Sequence, residues 1–451
     1  MLNENHYRNL VKSENNLPKD FEKRMLENYP FSVDLFAQLN STPPTSIRLH
    51  PFKKNTSIDL KSRVPWAKNG YYLIERPVFT LDPSFHAGTY YPQEAGSMYL
   101  ETILNHLELP EYPLVLDACA APGGKTSILA EKLSNKGTII SNEVIKSRAF
   151  ILVETVTKWG FSNQIVTCND TKTFRKTKIK FDLIVIDAPC SGEGMFRKDQ
   201  KARDEWSLQN CFICEARQKE ILENLLPCLK EEGFLIYSTC TFNPKENEEL
   251  LREFIDTYNL SVCEMPQFEG MFKDKESIGQ YFFPNLLESE GFYCAVLRKN
   301  NTTTFDKKKS DIVTFTDVPK FISENPLGLA FNTSAGFVIA SNENTFNLSK
   351  QLKDNFFILK TGITVSQVFG KKEVPQIDLA LTPFLDTSFE KVHLEKPEAL
   401  KFLKGETFQL SGSIGYKEIV FDHTPLGYIN HLGKRFNNLF PNEWRIKMKI
   451  S

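Results

Sequence analysis

The rhythm of apolar and polar positions changes twice along the chain. Residues 1–105 mix short apolar stretches with turn residues. Breaks at Leu17-Pro18 and Tyr29-Pro30 bracket a helical stretch around Glu22 to Glu27. Thr42-Pro43-Pro44 precedes Ser46-Ile47-Arg48-Leu49, a strand candidate. From about residue 114 to 298, short apolar runs alternate with helical patterns. Strands are predicted at Pro113 to Asp117, Gly137 to Ser141, Asn163 to Thr167, Phe181 to Asp187 and Gly233 to Ser238. Helices are predicted at Thr126 to Leu133, Ile145 to Trp159 and Asn210 to Lys230. The run Phe181 to Asp187 is apolar nearly throughout, as a strand covered on both faces should be. Strands alternating with helices predict a parallel α/β sheet. Asn300 to Asp311 is polar and unpatterned and reads as a linker. Residues 312–451 carry short β-branched and aromatic runs with Gly turns, a mostly β region split near Glu395. The predicted units are therefore 1–105, a core at 106–299, a linker at 300–311, and two further parts at 312–395 and 396–451.

The length of 451 residues agrees with several units, since one domain takes roughly 150. With 41% hydrophobic and 25% charged residues, composition excludes a disordered chain. Lys plus Arg number 55 against 56 Asp plus Glu, so any nucleic-acid surface must be a local patch. No apolar run approaches the ~18 residues of a spanning helix, and no membrane contact is expected. The start, Met1 to Arg8, lacks the apolar centre of a secretory signal. Nine scattered cysteines, an odd count, read as reduced and cytoplasmic. Each is then core filler, a metal ligand or a nucleophile. Cys211 and Cys214 fall in a helical pattern without a second pair, the seven His form no cluster, and no metal is expected.

Three segments carry chemistry. Asp117-Ala118-Cys119-Ala120-Ala121-Pro122-Gly123-Gly124-Lys125-Thr126 follows a strand and opens a helix. Its glycines admit a ligand close to the backbone, and the helix start offers free N–H groups. A glycine pair alone reads as a tight turn. Acids at the next strand ends, Glu143, Asp170 and Asp187, raise it, because such carboxylates converge on the ligand crevice of a parallel sheet. A carboxylate after the second strand can hold ribose hydroxyls, so the joint spacing favours a nucleoside. The second and third segments, Asp187-Ala188-Pro189-Cys190-Ser191-Gly192 and Tyr237-Ser238-Thr239-Cys240, each put a cysteine just past a strand end. Asn243, Pro244 and Glu246 read as cap, first and third positions of the following helix. One strand-end cysteine is ordinarily packing; two facing one crevice beside an acid are harder to dismiss.

On these residues the chain resembles the Sun-type (NSUN) RNA cytosine-5-methyltransferases. The matches are Asp117 to Thr126, Asn142-Glu143, Asn169-Asp170, Asp187 to Gly192 and Ser238-Thr239-Cys240. Tyr91 to Met98 resembles the family's Gln-Glu-x-Ser-Ser-Met signature, with Gly96 where Ser is usual, and Gly291 to Ala295 resembles its last core strand. Asn285 follows Pro284 where many members have Pro-His. The resemblance covers roughly residues 15–300. It implies a Rossmann-like, class I S-adenosylmethionine-dependent core with an N-terminal RNA-binding extension. It further implies Cys240 as the nucleophile on cytosine carbon 6, Cys190 assisting release, and Asp187 near both N3 and the methyl donor. For the cofactor, S-adenosyl-L-methionine, it assigns Cys119, Ala120, Ala121, Pro122, Gly123, Gly124 and Lys125 with Glu143, Asp170 and Asp187; Arg148 is a weaker candidate. DNA cytosine-5 enzymes attack from a Pro-Cys motif, so the residues alone leave Cys190 as a second candidate nucleophile. Lys125 and Lys198 are candidates for raising the thiolate fraction.

Residues 396–451, from Phe402-Leu403-Lys404-Gly405 through Phe440-Pro441-Asn442-Glu443-Trp444, resemble the PUA-like module of bacterial members that modify small-subunit ribosomal RNA. Two basic stretches stand out: Lys172, Arg175, Lys176, Lys178 and Lys180, and a tail with Lys434, Arg435, Arg445, Lys447 and Lys449. Such runs are ordinarily solvated faces, and the Phe436, Phe440 and Trp444 that interleave the tail make it suit RNA somewhat better. The expected protein is a monomeric, cytoplasmic rRNA cytosine-5-methyltransferase. The alternatives are a tRNA enzyme of the same chemistry, and a non-catalytic RNA-binding assembly factor, which would have no need of Cys190, Cys240 and Asp187 together.

Overall fold

The structure is a computed structural model that describes residues 16–54, 58–134, 136–300, 321–322, 329–333 and 335–448. Apart from Asn300, the expected linker lies outside these residues, as does Lys449 of the basic tail.

The chain opens with two helices, α1 (Lys19–Asn28) and α2 (Ser32–Leu39). Phe21 and Met25 of α1 are fully buried and pack with Phe196 and Trp206 of the core, so this segment is fastened to the central α/β unit. A four-stranded antiparallel sheet follows, ordered β2-β3-β1-β4, from β1 (Ser46–Leu49), β2 (Leu60–Arg63), β3 (Gly70–Leu73) and β4 (Tyr90–Pro92).

The central sheet contains five parallel strands: β5 (Leu114–Asp117), β6 (Thr138–Asn142), β7 (Gln164–Thr167), β8 (Phe181–Asp187) and β9 (Leu229–Thr239). Their order is 7-6-5-8-9, so the winding reverses between β5 and β8, and a crevice opens at the carboxyl ends of those strands. Antiparallel strands β10 (Leu260–Val262), β11 (Phe272–Lys273), β12 (Gly279–Phe282) and β13 (Phe292–Lys299) complete the far side, with β13 against β9. Leu183, Ile184, Val185 and Ile186 of β8 have no exposed surface, as the apolar run required. The crossovers include α3 (Gly124–Leu133), α4 (Lys146–Trp159) and α5 (Leu208–Leu225), and α6 (Glu248–Thr257) follows β9.

Two boundaries differ from the sequence pattern. The helix expected to reach Lys230 stops at Leu225; Leu226–Cys228 form a 3-10 turn and Leu229 already pairs with Phe181 in the sheet. Pro227 lacks the N–H that a continuing helix needs, while Leu225, Leu226 and Leu229 keep a helical spacing that hides the switch. Past Cys240, Pro244–Glu246 make only a 3-10 turn, capped by the Asn243 side chain accepting from the Lys245 N–H at 3.3 Å, and α6 starts at Glu248.

The larger difference lies beyond residue 321. β14 (Leu329–Asn332), β15 (Phe337–Ser341), β17 (Ile363–Phe369) and β18 (Lys372–Pro375) form one small sheet. Between them, α7 (Glu343–Leu352) packs on the core and β16 (Ile358–Thr361) pairs antiparallel with β7, so part of the expected 312–395 unit is an edge strand of the central sheet. The last sheet, ordered β19-β20-β21-β22, begins with β19 (Glu390–His393), ahead of the expected 395/396 division; β20 (Gly415–Phe421), β21 (Thr424–His431) and β22 (Phe436–Asn438) follow. Phe436 and Phe440, whose place among the basic residues of the tail suited RNA, are instead buried in this module's own core.

This topology changes what a truncation should do. A chain ending at residue 300 loses β16 and exposes the β7 edge, and it loses Leu352 and Phe356 from the core, where Phe356 packs on Phe174 at 4.8 Å. Those two side chains alone should cost about 3–6 kcal/mol. Thermal unfolding of residues 1–300 at the full-length temperature would refute the edge role.

Candidate active site

The crevice is built from loops that leave β5, β6, β7, β8 and β9. Past β5, Gly123 adopts φ +115°, and a Cβ there would meet Thr155 Cγ2 at 2.7 Å, so the loop needs glycine at that place. The helix start it creates, α3, carries no side-chain cap. Asp117 has no exposed surface; its Oδ2 accepts from Thr126 Oγ1 at 2.6 Å, while Oδ1 has no partner among the described residues. Burial pushes the Asp117 carboxyl up to about 7 against the bond from Thr126. Burial likewise pushes the Cys119 thiol well up.

Asn142 ties three strand ends together. Its Nδ2 donates to Ala118 O (3.3 Å) and Asn169 O (2.9 Å), and its Oδ1 accepts from Asn169 N and Thr167 Oγ1. Next to it, Glu143 is 3% exposed and accepts from Ile145 N at 2.9 Å. Arg148, which the sequence leaves closer to a solvated helix residue, bridges the two loops: NH2 donates to Ala121 O at 2.9 Å and NH1 lies 3.5 Å from Glu143 Oε2. Asp170 is exposed, and its carboxylate caps the short helix Thr171–Arg175 through Lys172 N.

The opposite wall holds the cysteines. Cys190 Sγ and Cys240 Sγ are 3.2 Å apart, and Cys240 N–H donates to Cys190 Sγ at 3.3 Å. The contact with Cys240 and burial hold the Cys190 thiol well above its ordinary range. Asp187, at the end of β8, accepts from Lys125 Nζ and from Ser238 Oγ, both at 2.8 Å. Burial opposes charge on Lys125, but Asp187 beside it holds the ammonium above its ordinary value. The candidate lysines therefore separate: Lys125 is paired with Asp187, and Lys198 lies 3.9 Å from Glu290.

Several residues that hold this geometry escaped the sequence reading. Glu246, read as a helix-start residue, instead accepts from Ser191 N (2.9 Å), Ser191 Oγ (2.5 Å), Gln218 Nε2 (2.9 Å) and Asn243 Nδ2 (3.0 Å), fixing the Cys190 loop to the Cys240 loop. Glu193, with no exposed surface, accepts from Phe242 N, Trp206 Nε1 and Arg24 of α1. Nothing in the spacing of Arg24, Glu193 and Gln218 marks them. Asn285 keeps a buried Oδ1 with no partner among the described residues. Cys211 and Cys214 are buried on α5; among the described residues no group of three or more His, Cys, Asp and Glu is placed to hold a metal.

Comparison with known proteins shows the family. A family model described as 16S rRNA methyltransferase RsmB/F matches residues 104–298. Models for the N-terminal domain of 16S rRNA methyltransferase RsmF and the methyltransferase RsmF PUA domain match 17–95 and 389–446. Ribosomal RNA small subunit methyltransferase F of Shewanella loihica is 30% identical over 413 residues, covering 84% of this chain and 83% of that protein.

The chain belongs to the RsmF-type rRNA methyltransferase family.

The Shewanella woodyi family member is 28% identical over 473 residues, 95% of this chain and 96% of its own length. Among solved structures, a methyltransferase homolog protein from Pyrococcus horikoshii is 28% identical with a TM-score of 0.55, covering 62% of this chain and 95% of that one. NSun6 from Pyrococcus horikoshii, solved with SFG, shares the fold at 20% identity and a TM-score of 0.56, covering 64% of this chain and 99% of that one. The 7-6-5-8-9 sheet is thus the Rossmann-like core of an S-adenosylmethionine-dependent RsmF-type methyltransferase, and the last sheet is its PUA domain. No helix among the described residues is long and apolar enough to cross a membrane.

Proposed function

We propose that this chain methylates carbon 5 of a cytosine in small-subunit ribosomal RNA, in the cytoplasm, through a covalent bond between Cys240 and the base. The observation that carries the reading is the pair of cysteine sulfurs, 3.2 Å apart at the ends of neighbouring strands, beside the Lys125–Asp187 pair. An RNA-binding assembly factor needs no such set.

The crevice fits S-adenosylmethionine. The glycine cradle at Gly123, the uncapped start of α3, the buried Glu143 and the unpartnered Asp117 Oδ1 supply a close backbone approach, N–H donors and acceptors. Cys119 to Lys125 would hold the cofactor with Glu143, Asp170 and Asp187, and Arg148 would brace Ala121 and Glu143. When bound, the cofactor supplies an electrophilic methyl group. Cys240 Sγ adds to carbon 6, which makes carbon 5 enamine-like and nucleophilic. As the Cys240 thiolate adds, N3 takes the proton of the Asp187 carboxyl, and the Lys125 ammonium offsets the carboxylate left behind. Once carbon 5 carries the methyl group it gives its proton to water, N3 returns its proton to Asp187, and the Cys240 sulfur leaves as a thiolate. Cys190, kept as a thiol, donates a hydrogen bond to that sulfur as the bond breaks.

Bisulfite sequencing of small-subunit rRNA from cells with and without the gene tests the reading; an identical 5-methylcytosine pattern would overturn it, and a missing mark in tRNA would move the substrate. For the cofactor, Glu143→Ala should weaken S-adenosylmethionine binding by about 1–3 kcal/mol, the scale of hydrogen bonds to a charged group. Unchanged affinity by calorimetry, with the fold intact, would remove Glu143 from the site.

A further inference from the structure

A second cavity, of about 270 Å³, lies on the other side of the cofactor loop. Phe85, Tyr90, Tyr91, Trp159, Pro122 and Ile151 line it; Tyr90 and Trp159 are almost fully buried, while Phe85 and Tyr91 are half-buried. Ile151 is half exposed and Pro122 is exposed, so the cavity opens to solvent there. The loop Cys119–Lys125 therefore has two working sides: Lys125 reaches Asp187, while Pro122 lines this cavity. Tyr91 leans on the same loop, since a Cβ on Gly124 would lie 3.1 Å from its ring.

One end of the cavity is charged. Lys158 Nζ lies 4.7 Å from the Phe85 ring, 6.0 Å from the Trp444 ring of the C-terminal sheet's tail, and 2.6 Å from Glu154 Oε1. Parts matched by the N-terminal, catalytic and PUA models thus meet at this place. Lys53 stands behind it, donating to Ala87 O and Lys158 O.

From this juxtaposition we propose that the cavity takes one unstacked nucleobase of the substrate RNA, distinct from the target cytosine. The proposal rests on the RNA-methyltransferase reading above. Single-stranded RNA is bound by splaying bases onto aromatic side chains, and every base offers a π-face. The volume is at the lower edge of the ~300–1,000 Å³ of small-ligand sites, which suits one planar ring system. The Lys158 ammonium, paired with Glu154, puts a cation beside the Phe85 ring, which suits a base carried on a phosphate backbone better than an apolar protein side chain. Pro122 joins the cavity wall to the cofactor loop, so a base held there would bear on how the substrate lies against that loop.

The test measures KM for rRNA and Kd for S-adenosylmethionine in full-length protein. The substrates are a naked small-subunit rRNA transcript and small ribosomal subunits from cells lacking the gene. Phe85→Leu keeps apolar volume without a stacking face, Phe85→Tyr restores the face, and Ile151→Ser alters only the open rim. Phe85→Leu should raise KM for naked RNA ~5- to 100-fold, the scale of one stacked base, with Phe85→Tyr near wild type, Ile151→Ser intermediate and cofactor affinity unchanged. Wild-type KM values in Phe85→Leu and Ile151→Ser would overturn the proposal. A rise seen on subunits but not on naked RNA would also overturn it and assign the cavity to a protein side chain. If wild type transfers no methyl group to either substrate, the methyltransferase reading fails. Equilibrium binding of the same transcript to wild type and Phe85→Leu then decides the pocket: weaker binding supports it and equal binding overturns it.

Discussion

Cys240→Ala is expected to transfer no methyl group and to form no covalent protein–RNA species, a loss on the order of 10⁴–10⁶-fold, the scale found when a covalent nucleophile is removed. Cys190→Ala should behave differently. Attack and methylation proceed, but the Cys240 sulfur then leaves without the thiol that sits 3.2 Å from it. That variant should accumulate a denaturation-resistant adduct, seen as a shifted band on a denaturing gel when S-adenosylmethionine is present. Asp187→Ala should give neither product nor adduct, because it breaks the contacts to Lys125 and Ser238 and removes the carboxyl group proposed to act at N3. The two cysteines are close enough that distance alone does not rank them. What ranks them is the resemblance to the Sun-type family, which implies Cys240 as the nucleophile. Adducts from Cys240→Ala and none from Cys190→Ala would reassign the nucleophile to Cys190.

Glu246→Ala should cost about 3–5 kcal/mol of stability and lower methyl transfer ~10²-fold with little change in cofactor affinity. The carboxylate accepts from donors on three segments: the Cys190 loop, α5 and the turn after Cys240. Without it, buried donors on Ser191, Gln218 and Asn243 lose an acceptor, each at a cost comparable to a lost hydrogen bond or more. The sulfur–sulfur spacing then loses its clamp, and an ångström of misplacement is enough for the rate effect. Glu246→Gln, which keeps the shape and one acceptor oxygen, should fall between. Chemical denaturation and single-turnover methylation measure the two effects; a variant with wild-type turnover would show that the spacing is held by the backbone alone.

The sequence by itself determined the elements whose cause is local. A continuous apolar run makes β8, a glycine pair after β5 makes the turn that opens α3, and strand–helix alternation makes the parallel sheet, because period and backbone freedom act within a few residues. It also placed Cys190, Cys240, Asp187 and Glu143 on one side of that sheet, since all four follow strand carboxyl ends. Contacts between distant segments were decided only by the tertiary structure. Pairing of β16 with β7 joins residues nearly 200 positions apart, and no periodicity encodes it. Phe436 and Phe440 have the same composition whether they stack on RNA or fill a core; the packing of the last sheet decided for the core. Glu246 fits a helix start as well as a clamp, and the choice turned on Ser191 and Gln218 arriving opposite it. Lys125 finds Asp187 rather than a cysteine because the ends of β5 and β8 are neighbours in the sheet, so an opposite charge stands within reach in a half-buried crevice where pairing offsets the cost of burial.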